Sequence, residues 1–300
     1  MTSVDEGTTA PRSWKRRILD HSFFLLISGV ATFVLSILLT IVATRGLPSE
    51  KAVPSIVWLK GSIAAALSFF GYWIFVRLVE RRTVDELSRP RCLKELVSGL
   101  AIGAGIFSLV VAVVWLLGGY RVDGWGDFSS ISSVVNMAIL PAIMEEILFR
   151  GLIFRLIERW LGSLTALFIS AALFGFAHYA NPNATLFASL AIAIEAGILL
   201  GAMYMMTRRL WAPIGLHAAW NFSQGWLYGL PVSGIATTGM VKGVLAGSCD
   251  LTGCAFGLEA SWPAVIIATI AGLLILRVAV GRGHYVPFTF AALKRGLPLA

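Results

Sequence analysis

The chain has 300 residues, of which 57% are hydrophobic and only 13% charged, and its formal net charge is +8. A soluble domain is usually about 45–50% apolar and about 25% charged, so this composition excludes a water-soluble globule and a disordered chain. The apolar runs are continuous, whereas the strands of a membrane barrel alternate polar and apolar residues. We therefore expect an all-α, polytopic integral membrane protein, a bundle of about eight transmembrane helices.

The apolar runs predict the order of these helices along the chain. The fourth begins near residue 128 and contains Pro141, and the others cover about residues 22–44, 56–78, 96–117, 163–180, 184–207, 211–230 and 262–276. The first run is longer than the roughly 7–15 apolar residues of a signal peptide, so we interpret it as a retained helix. The predicted organisation is a tail (1–21), helices one to three (22–127), a core of helices four to seven (128–231), and a Gly-rich loop, helix eight and a second tail (232–300).

The positions of the basic residues predict the orientation in the membrane. Of the 24 Lys and Arg residues, only five fall on the side opposite the termini: Arg45, Lys51, Lys60, Arg121 and Lys242. Cytoplasmic loops carry the excess of Lys and Arg, so both termini are predicted to be cytoplasmic and the Gly-rich loop extracytoplasmic. This bias explains the net positive charge. We expect a multi-pass protein of the plasma (inner) membrane, with the lipid bilayer but no nucleic acid as a partner.

The cysteines have neither zinc-ribbon spacing nor the number of a disulfide framework. Cys249 and Cys254 bracket a short segment of the predicted extracytoplasmic loop, and Cys92 stands alone. The bracketing pair can form a disulfide if the loop faces an oxidising compartment. The sequence leaves this pairing open.

Ionisable side chains lie inside the predicted spans, although each costs about 2.5–3.5 kcal/mol on insertion scales. The carboxylates are Glu145, Glu146 and Glu195, and the imidazoles are His178 and His217. An isolated polar group is best explained by a hydrogen bond between helices, but that explanation is weaker for several carboxylates and imidazoles together. Glu195 fits helix packing and a substrate cavity equally well.

Helical spacing separates the roles of the adjacent carboxylates. Glu146 and Arg150 are four residues apart, share a helix face and can form an ion pair, whereas Glu145 points about 100° away. Two neighbouring carboxylates in a low dielectric repel each other, and a guanidinium offsets this repulsion for one of them. The pattern therefore predicts that one carboxylate is held in place while the other acts as a base.

Two further helix faces carry polar groups at a spacing of four residues. Phe174 precedes His178 on the fifth span, and His217 precedes Asn221 on the seventh. If spans four and five form a hairpin that turns near Gly162, then Glu146 and His178 both lie about 24 Å from the turn. The tip of this hairpin is then expected to protrude into the cytoplasm and to carry Arg155, Glu158 and Arg159 into water. Because His217 follows the loop between spans six and seven by only some seven residues, the site is expected just below the cytoplasmic surface.

This set of side chains fits acyl hydrolysis, with peptide cleavage as its natural target. A carboxylate and an imidazole can position and deprotonate a water, and a second imidazole with an amide can donate to an oxyanion. The same Glu and His residues are also plausible zinc ligands. The sequence contains no His-Glu-x-x-His motif and no serine or cysteine in an obvious nucleophile motif.

The three motifs together resemble a known family. Glu145-Glu146-Ile-Leu-Phe-Arg150 matches Glu-Glu-x-x-x-Arg, Phe174-Gly-Phe-Ala-His178 matches Phe-x-x-x-His, and His217-Ala-Ala-Trp-Asn221 matches His-x-x-x-Asn. In this order they resemble the CPBP family of intramembrane proteases, which includes the type II CAAX prenyl endopeptidases and bacteriocin-immunity or abortive-infection proteins. The resemblance covers about residues 128–221.

The resemblance implies a role for each matched residue. Glu145 is the expected general base with His178 as its partner, and His217 with Asn221 forms the oxyanion site. Supporting roles fall to Glu146, Arg150 and Phe174. If a metal such as Zn²⁺ is used, Glu145, His178 and His217 are the expected ligands, but the family has been described both with and without a metal.

The resemblance also implies a substrate and an alternative. The expected substrate is a protein or peptide that is associated with the membrane or lipidated, including a prenylated CAAX-type protein. The alternative is a non-catalytic membrane immunity or scaffold protein that binds a partner through the same cavity.

Overall fold

The computed structural model describes residues 21–49, 53 and 55–288. Within these residues the chain forms long apolar helices, and the predicted all-α, polytopic membrane fold is confirmed. Most of the predicted N-terminal tail and the end of the predicted C-terminal tail lie outside the described residues. The division of the chain into four segments therefore stays a prediction.

The helices follow one another with few long connections. In chain order they are α1 Ser22–Thr44, α2 Ile56–Ile74, α3 Cys92–Leu116, α4 Ile131–Glu146, α5 Arg155–Ala177, α6 Leu186–Ile192, α7 Ile198–Thr207, α8 Trp211–Phe222, α9 Cys249–Thr252 and α10 Trp262–Gly281. Four π-helical turns extend or join them: Phe75–Val79, Ile147–Phe154, Ala193–Gly197 and Ser223–Leu227. Short 3-10 turns lie at Asp85–Leu87, Phe128–Ser130, His178–Ala180, Cys254–Phe256 and Leu258–Ala260.

The predicted hairpin between the fourth and fifth spans is present. Gly162 has φ 80° and ψ 168°, a conformation that side chains other than glycine rarely adopt, and it breaks the helix there. Beyond this residue the chain packs back on itself, since the Ser170 hydroxyl donates to the carbonyl of Phe149 over 3.2 Å. The reversal brings the end of α4 beside the end of α5.

Six helices in the described part of the chain are long and apolar enough to cross a membrane: Ser22–Thr44, Ile56–Val79, Cys92–Leu116, Phe128–Ala180, Leu186–Thr207 and Trp262–Gly281. The segment Phe128–Ala180 contains the reversal at Gly162 and so makes two passes along the bundle. Helix α8 and the π turn that follows it are shorter than these spans. The count of eight and the side on which the termini lie stay predictions.

The end of the bundle that carries most of the described basic residues is held by buried ion pairs. Glu80 lies 2.7 Å from both Arg155 and Arg159, and its side chain is only 1% exposed. Arg155 and Glu158 are buried as well, so the expectation that the hairpin tip carries them into water is wrong. Burial raises the pKa of the Glu80 carboxyl, but the charge and hydrogen bonds of Arg155, with help from two further arginines, outweigh it and lower the pKa.

The opposite end carries a small sheet that was not predicted. Strand β1, Tyr120–Trp125, pairs antiparallel with β2, Val241–Leu245, and Tyr120 lies opposite Leu245. The same end holds a disulfide between Cys249 and Cys254, the pairing that the sequence left open. The predicted Gly-rich loop is therefore an ordered layer over this end of the helices.

Candidate active site

Glu146 and Arg150 form a fully buried ion pair at the junction of α4 and its π turn. Arg150 Nη1 lies 2.8 Å from Glu146 Oε1, and both side chains are 0% exposed. The guanidinium also donates to the carbonyls of Ala196 and Gly197, each at 3.3 Å, and packs 4.6 Å from the centre of the Phe174 ring. These contacts hold the acidic pair between two π turns. Such turns inside helices often lie at functional sites.

His217 is oriented by Glu146. Its Nδ1 lies 3.0 Å from Glu146 Oε1, and because a carboxylate only accepts hydrogen bonds, Nδ1 carries the proton. In the neutral ring, Nε2 then presents a lone pair, and this atom lies 3.9 Å from Glu145 Oε2. Glu146 therefore holds the imidazole whose Nε2 faces Glu145.

His178 is oriented in the same way by the backbone. Its Nδ1 donates to the carbonyl of Phe174 over 2.8 Å, and its Nε2 lies 3.9 Å from Glu145 Oε2. The ring of Phe174 packs between the two imidazoles, with centroid distances of 4.8 Å to His178 and 5.9 Å to His217. Glu145 Oε2 thus lies equally far from two imidazole nitrogens that both point towards it.

Glu145 is the least confined member of this group. Its side chain is 28% exposed, and its buried Oε2 has no hydrogen-bond partner. A separation of 3.9 Å is too long for a direct hydrogen bond, but it is close enough for a water to lie between the groups. The arrangement can therefore hold a water against a carboxylate and an imidazole.

Asn221 lies one helical turn beyond His217 on α8 and is buried. Both residues line a small cavity of about 30 Å³, which has room for one or two water molecules. His178 lines the same cavity. The structure therefore brings together all seven residues that the motifs single out. Asn136 belongs to no motif, and it lies elsewhere, packed against Gly61.

A second, larger space reaches the site from another direction. It is an open groove of about 400 Å³ between α1, α4 and the end of α5. Most of its lining is apolar, as at Phe33, Leu140 and Met144, but Glu145 and His178 lie on its wall. Because His178 also lines the small cavity, its ring lies between the two spaces.

Three acidic or polar residues of the small cavity lie outside the motifs. Glu195, on the π turn between α6 and α7, lies on its wall, which favours the cavity role that the sequence left open. Ser233 and Glu259 also line it, although they come from the predicted extracytoplasmic loop. The end of the bundle that carries the small sheet therefore supplies part of the wall, whereas the depth of the site below the cytoplasmic surface stays a prediction. No sequence motif marks Ser233 or Glu259.

The donor set of Glu145, His178 and His217 has the chemistry of a zinc site, but its spacing is too wide. Tetrahedral zinc with bonds of about 2.0–2.2 Å places neighbouring donors about 3.3–3.5 Å apart, whereas Glu145 Oε2 lies 3.9 Å from each Nε2. Within the described residues, no group of three or more His, Cys, Asp or Glu side chains can hold a metal ion. The arrangement does not fit zinc coordination as it stands.

The fold and the site define a multi-pass membrane protein with a carboxylate–imidazole cluster buried among its helices. Residues 127–223 match the model of the family described as Type II CAAX prenyl endopeptidase Rce1-like. This segment contains all three motifs, so the resemblance found in the sequence is confirmed over these residues. No curated protein and no solved structure matched the chain.

Proposed function

We propose that the protein is an intramembrane endopeptidase that hydrolyses a peptide bond of a membrane-associated or lipidated, CAAX-type protein. The observation that carries this proposal is the position of Glu145 Oε2, 3.9 Å from the Nε2 atoms of both His178 and His217. The family match over residues 127–223 supports the same kind of activity.

In the proposed reaction, Glu145 acts as the general base. A water between Glu145 and His178 gives its proton to the carboxylate while its oxygen bonds to the peptide carbonyl carbon. His178 orients this water, because its Nδ1 is bound to the carbonyl of Phe174 and its Nε2 is left to accept. Glu145 then delivers the proton to the leaving nitrogen as the carbon–nitrogen bond breaks.

His217 and Asn221 stabilise the oxyanion. Because His217 Nδ1 donates to Glu146, Nε2 can donate to an oxyanion only when the ring carries both protons. The Glu146 carboxylate accepts from Nδ1 and so orients Nε2 towards the substrate, and Arg150 keeps that carboxylate in position. The amide of Asn221 supplies the second donor.

The open groove is the proposed route for the substrate. Its apolar wall suits a lipid chain or an apolar peptide segment, and Glu145 and His178 on that wall place the water beside whatever occupies the groove. A prenylated substrate fits this geometry, and so does an apolar segment without a lipid.

The test is a cleavage assay on the purified protein in lipid nanodiscs. A library of apolar peptides is offered with and without a farnesyl group, and each reaction is repeated with a chelator. Hydrolysis that survives the chelator is the expected result. Hydrolysis that the chelator abolishes would replace the water mechanism with a metal site on Glu145, His178 and His217.

The alternative is a non-catalytic immunity or scaffold protein that binds its partner through the same cavity. Complementation with Glu145→Ala separates the two functions. A cellular phenotype that persists in this variant, together with no hydrolysis of any peptide by the wild type, would favour the alternative.

A further inference from the structure

Glu195 is a buried carboxylate for which the proposed reaction has no use. It is 0% exposed, and neither of its carboxylate oxygens has a hydrogen-bond partner. It lies on the wall of the small cavity, together with His178, His217 and Asn221. A carboxyl group at membrane depth costs free energy, and among the described residues no side chain forms a hydrogen bond or an ion pair with this one.

Glu259 reaches the same cavity from the other side. It lies on the turn Leu258–Ala260, just after the disulfide-closed segment, and is 3% exposed. The side chains of Ser233 and Gln224 lie beside its carboxyl group, but Oε1 has no hydrogen-bond partner. The matched family segment ends at residue 223, so Glu259 lies outside it.

Ser233, which lies beside Glu259, is itself held by the turn that follows His178. Ser233 has a φ of 47°, a strained conformation for a residue other than glycine, which proteins retain mainly at functional sites. Its carbonyl accepts a hydrogen bond from the Asn181 side chain over 3.1 Å. The loop is thereby tied to the turn that follows His178.

No Lys or Arg is among the described residues that line the cavity, and its basic groups are the imidazoles of His178 and His217. Within the described residues, neither Glu195 nor Glu259 forms an ion pair with Lys or Arg, and the two carboxyl groups act on each other through their charges. Buried carboxylates require a cationic partner or a proton. The unpartnered atoms are three: both oxygens of Glu195 and Oε1 of Glu259.

A primary ammonium group fits these three oxygens in the sign of its charge, its number of donors and its size. It carries three N–H donors, one for each unpartnered oxygen. It is also a compact point charge, whereas a guanidinium is a planar fork, and a cavity of about 30 Å³ suits the smaller group. The apolar residues Leu199, Leu200 and Trp220 on the same wall can cover the methylene groups behind an ammonium.

We propose that Glu195 and Glu259 form an acidic subsite that binds one primary ammonium group of the substrate or product. The position of this subsite beside the scissile bond rests on the proposed peptidase function. Two sources have this chemistry: the side chain of a substrate lysine and the α-amine that hydrolysis releases. Binding to either one gives the protease a specificity that its motif residues do not encode.

The first experiment distinguishes the two sources by kinetics in nanodiscs. Peptide substrates carry either Lys or its uncharged isostere norleucine at each position flanking the scissile bond. If the subsite takes a side chain, one position shows a kcat/KM at least about tenfold higher with Lys. If it takes the released amine, the product peptide with a free α-amine inhibits at least about tenfold more strongly than its N-acetylated form.

Variants of the two carboxylates test whether the subsite causes this preference for an ammonium group. Glu195→Gln and Glu259→Gln are expected to remove the charge preference while changing hydrolysis of the norleucine peptide less than about threefold. Asp250→Asn, an exposed acid of the same loop, is the matched control and keeps the preference. The proposal is overturned if the wild type shows no preference in either arm, or if both glutamine variants retain it.

A binding measurement keeps this test separate from the peptidase proposal. The probe is n-butylammonium, which copies the end of a lysine side chain, and n-pentanol is its uncharged counterpart. We expect n-butylammonium, but not n-pentanol, to raise the melting temperature of the wild type, and Glu195→Gln to abolish the shift. If no peptide is cleaved but this shift is seen, the peptidase proposal fails and the subsite stands; equal shifts in wild type and Glu195→Gln refute the subsite.

Discussion

His217 Nδ1 lies 3.0 Å from Glu146 Oε1, so the second carboxylate of the acidic pair holds the imidazole that faces the first. This contact gives each of the two adjacent glutamates a different set of partners. Glu146 is buried against Arg150 and has no access to the groove, whereas Glu145 lies on the groove wall. The two carboxylates therefore have different environments and different proposed roles.

Replacing Glu146 with Gln tests this division of roles. The amide keeps the shape but weakens the hydrogen bond that orients His217, so the oxyanion site loses a well-placed donor. We expect kcat to fall by about 10²–10⁴-fold, the range for acid–base groups of this kind, with little change in KM. Steady-state kinetics on one apolar peptide provide the measurement, and a rise in KM at unchanged kcat would contradict the assigned role.

Removing the partner of Glu146 is expected to affect stability as well as activity. Arg150→Met leaves a buried carboxylate without its ion pair, which costs about 3–5 kcal/mol in buried pairs of this kind. The free energy of unfolding in detergent should fall accordingly. Arg121→Met is the control, because Arg121 and Asp123 form an exposed pair on β1, and it should leave stability almost unchanged; equal losses would argue against the buried pair as an anchor.

Much of this site could be predicted from the sequence, because its geometry is local. A spacing of four residues places Glu146 beside Arg150 and His217 beside Asn221 on any helix. Equal distances from a turn at Gly162 place Glu146 and His178 at one depth. These predictions use only the rise of a helix and one chain reversal. In the structure Glu146 pairs with Arg150, and His178 lies 3.9 Å from Glu145.

Other features depend on contacts between distant segments and have no local signal. Glu259 reaches the cavity through a chain of loop contacts within a Gly-rich stretch that has no periodicity. Arg155 and Glu158 are charged and follow a span, so they were expected in water, but Glu80 and Arg208 neutralise them inside the protein. The π turns and the short sheet likewise arise from packing between segments.

The open groove can be blocked without touching the proposed catalytic groups. Ala177→Trp fills space on the groove wall next to His178, and the expected result is a KM at least about tenfold higher for lipidated or apolar peptides. Ala172→Trp lies exposed on the same helix, outside the groove, and serves as the control. Unchanged KM in a folded Ala177→Trp protein would exclude the groove as the substrate route.

The ionisation of Glu80 is expected to make the stability of the folded protein depend on pH in the acidic range. Its pKa is lowered in the folded protein, so its stabilising contribution is present above the unfolded pKa of about 4.5 and is lost as the pH falls through the lower folded value. The melting temperature should therefore decrease on acidification below this pH. Glu80→Gln should melt at a lower temperature at neutral pH and show a weaker decrease in acid; a parallel decrease in both proteins would contradict the assignment.

The central claim is that Glu145 activates the attacking water. The most direct measurement is hydrolysis of one apolar peptide by purified Glu145→Gln in nanodiscs, beside the wild type and the exposed control Asp123→Asn. We predict that Glu145→Gln binds the peptide and melts like the wild type but hydrolyses it at least about 10³-fold more slowly, while Asp123→Asn keeps full activity. Hydrolysis by Glu145→Gln at the wild-type rate would contradict the account.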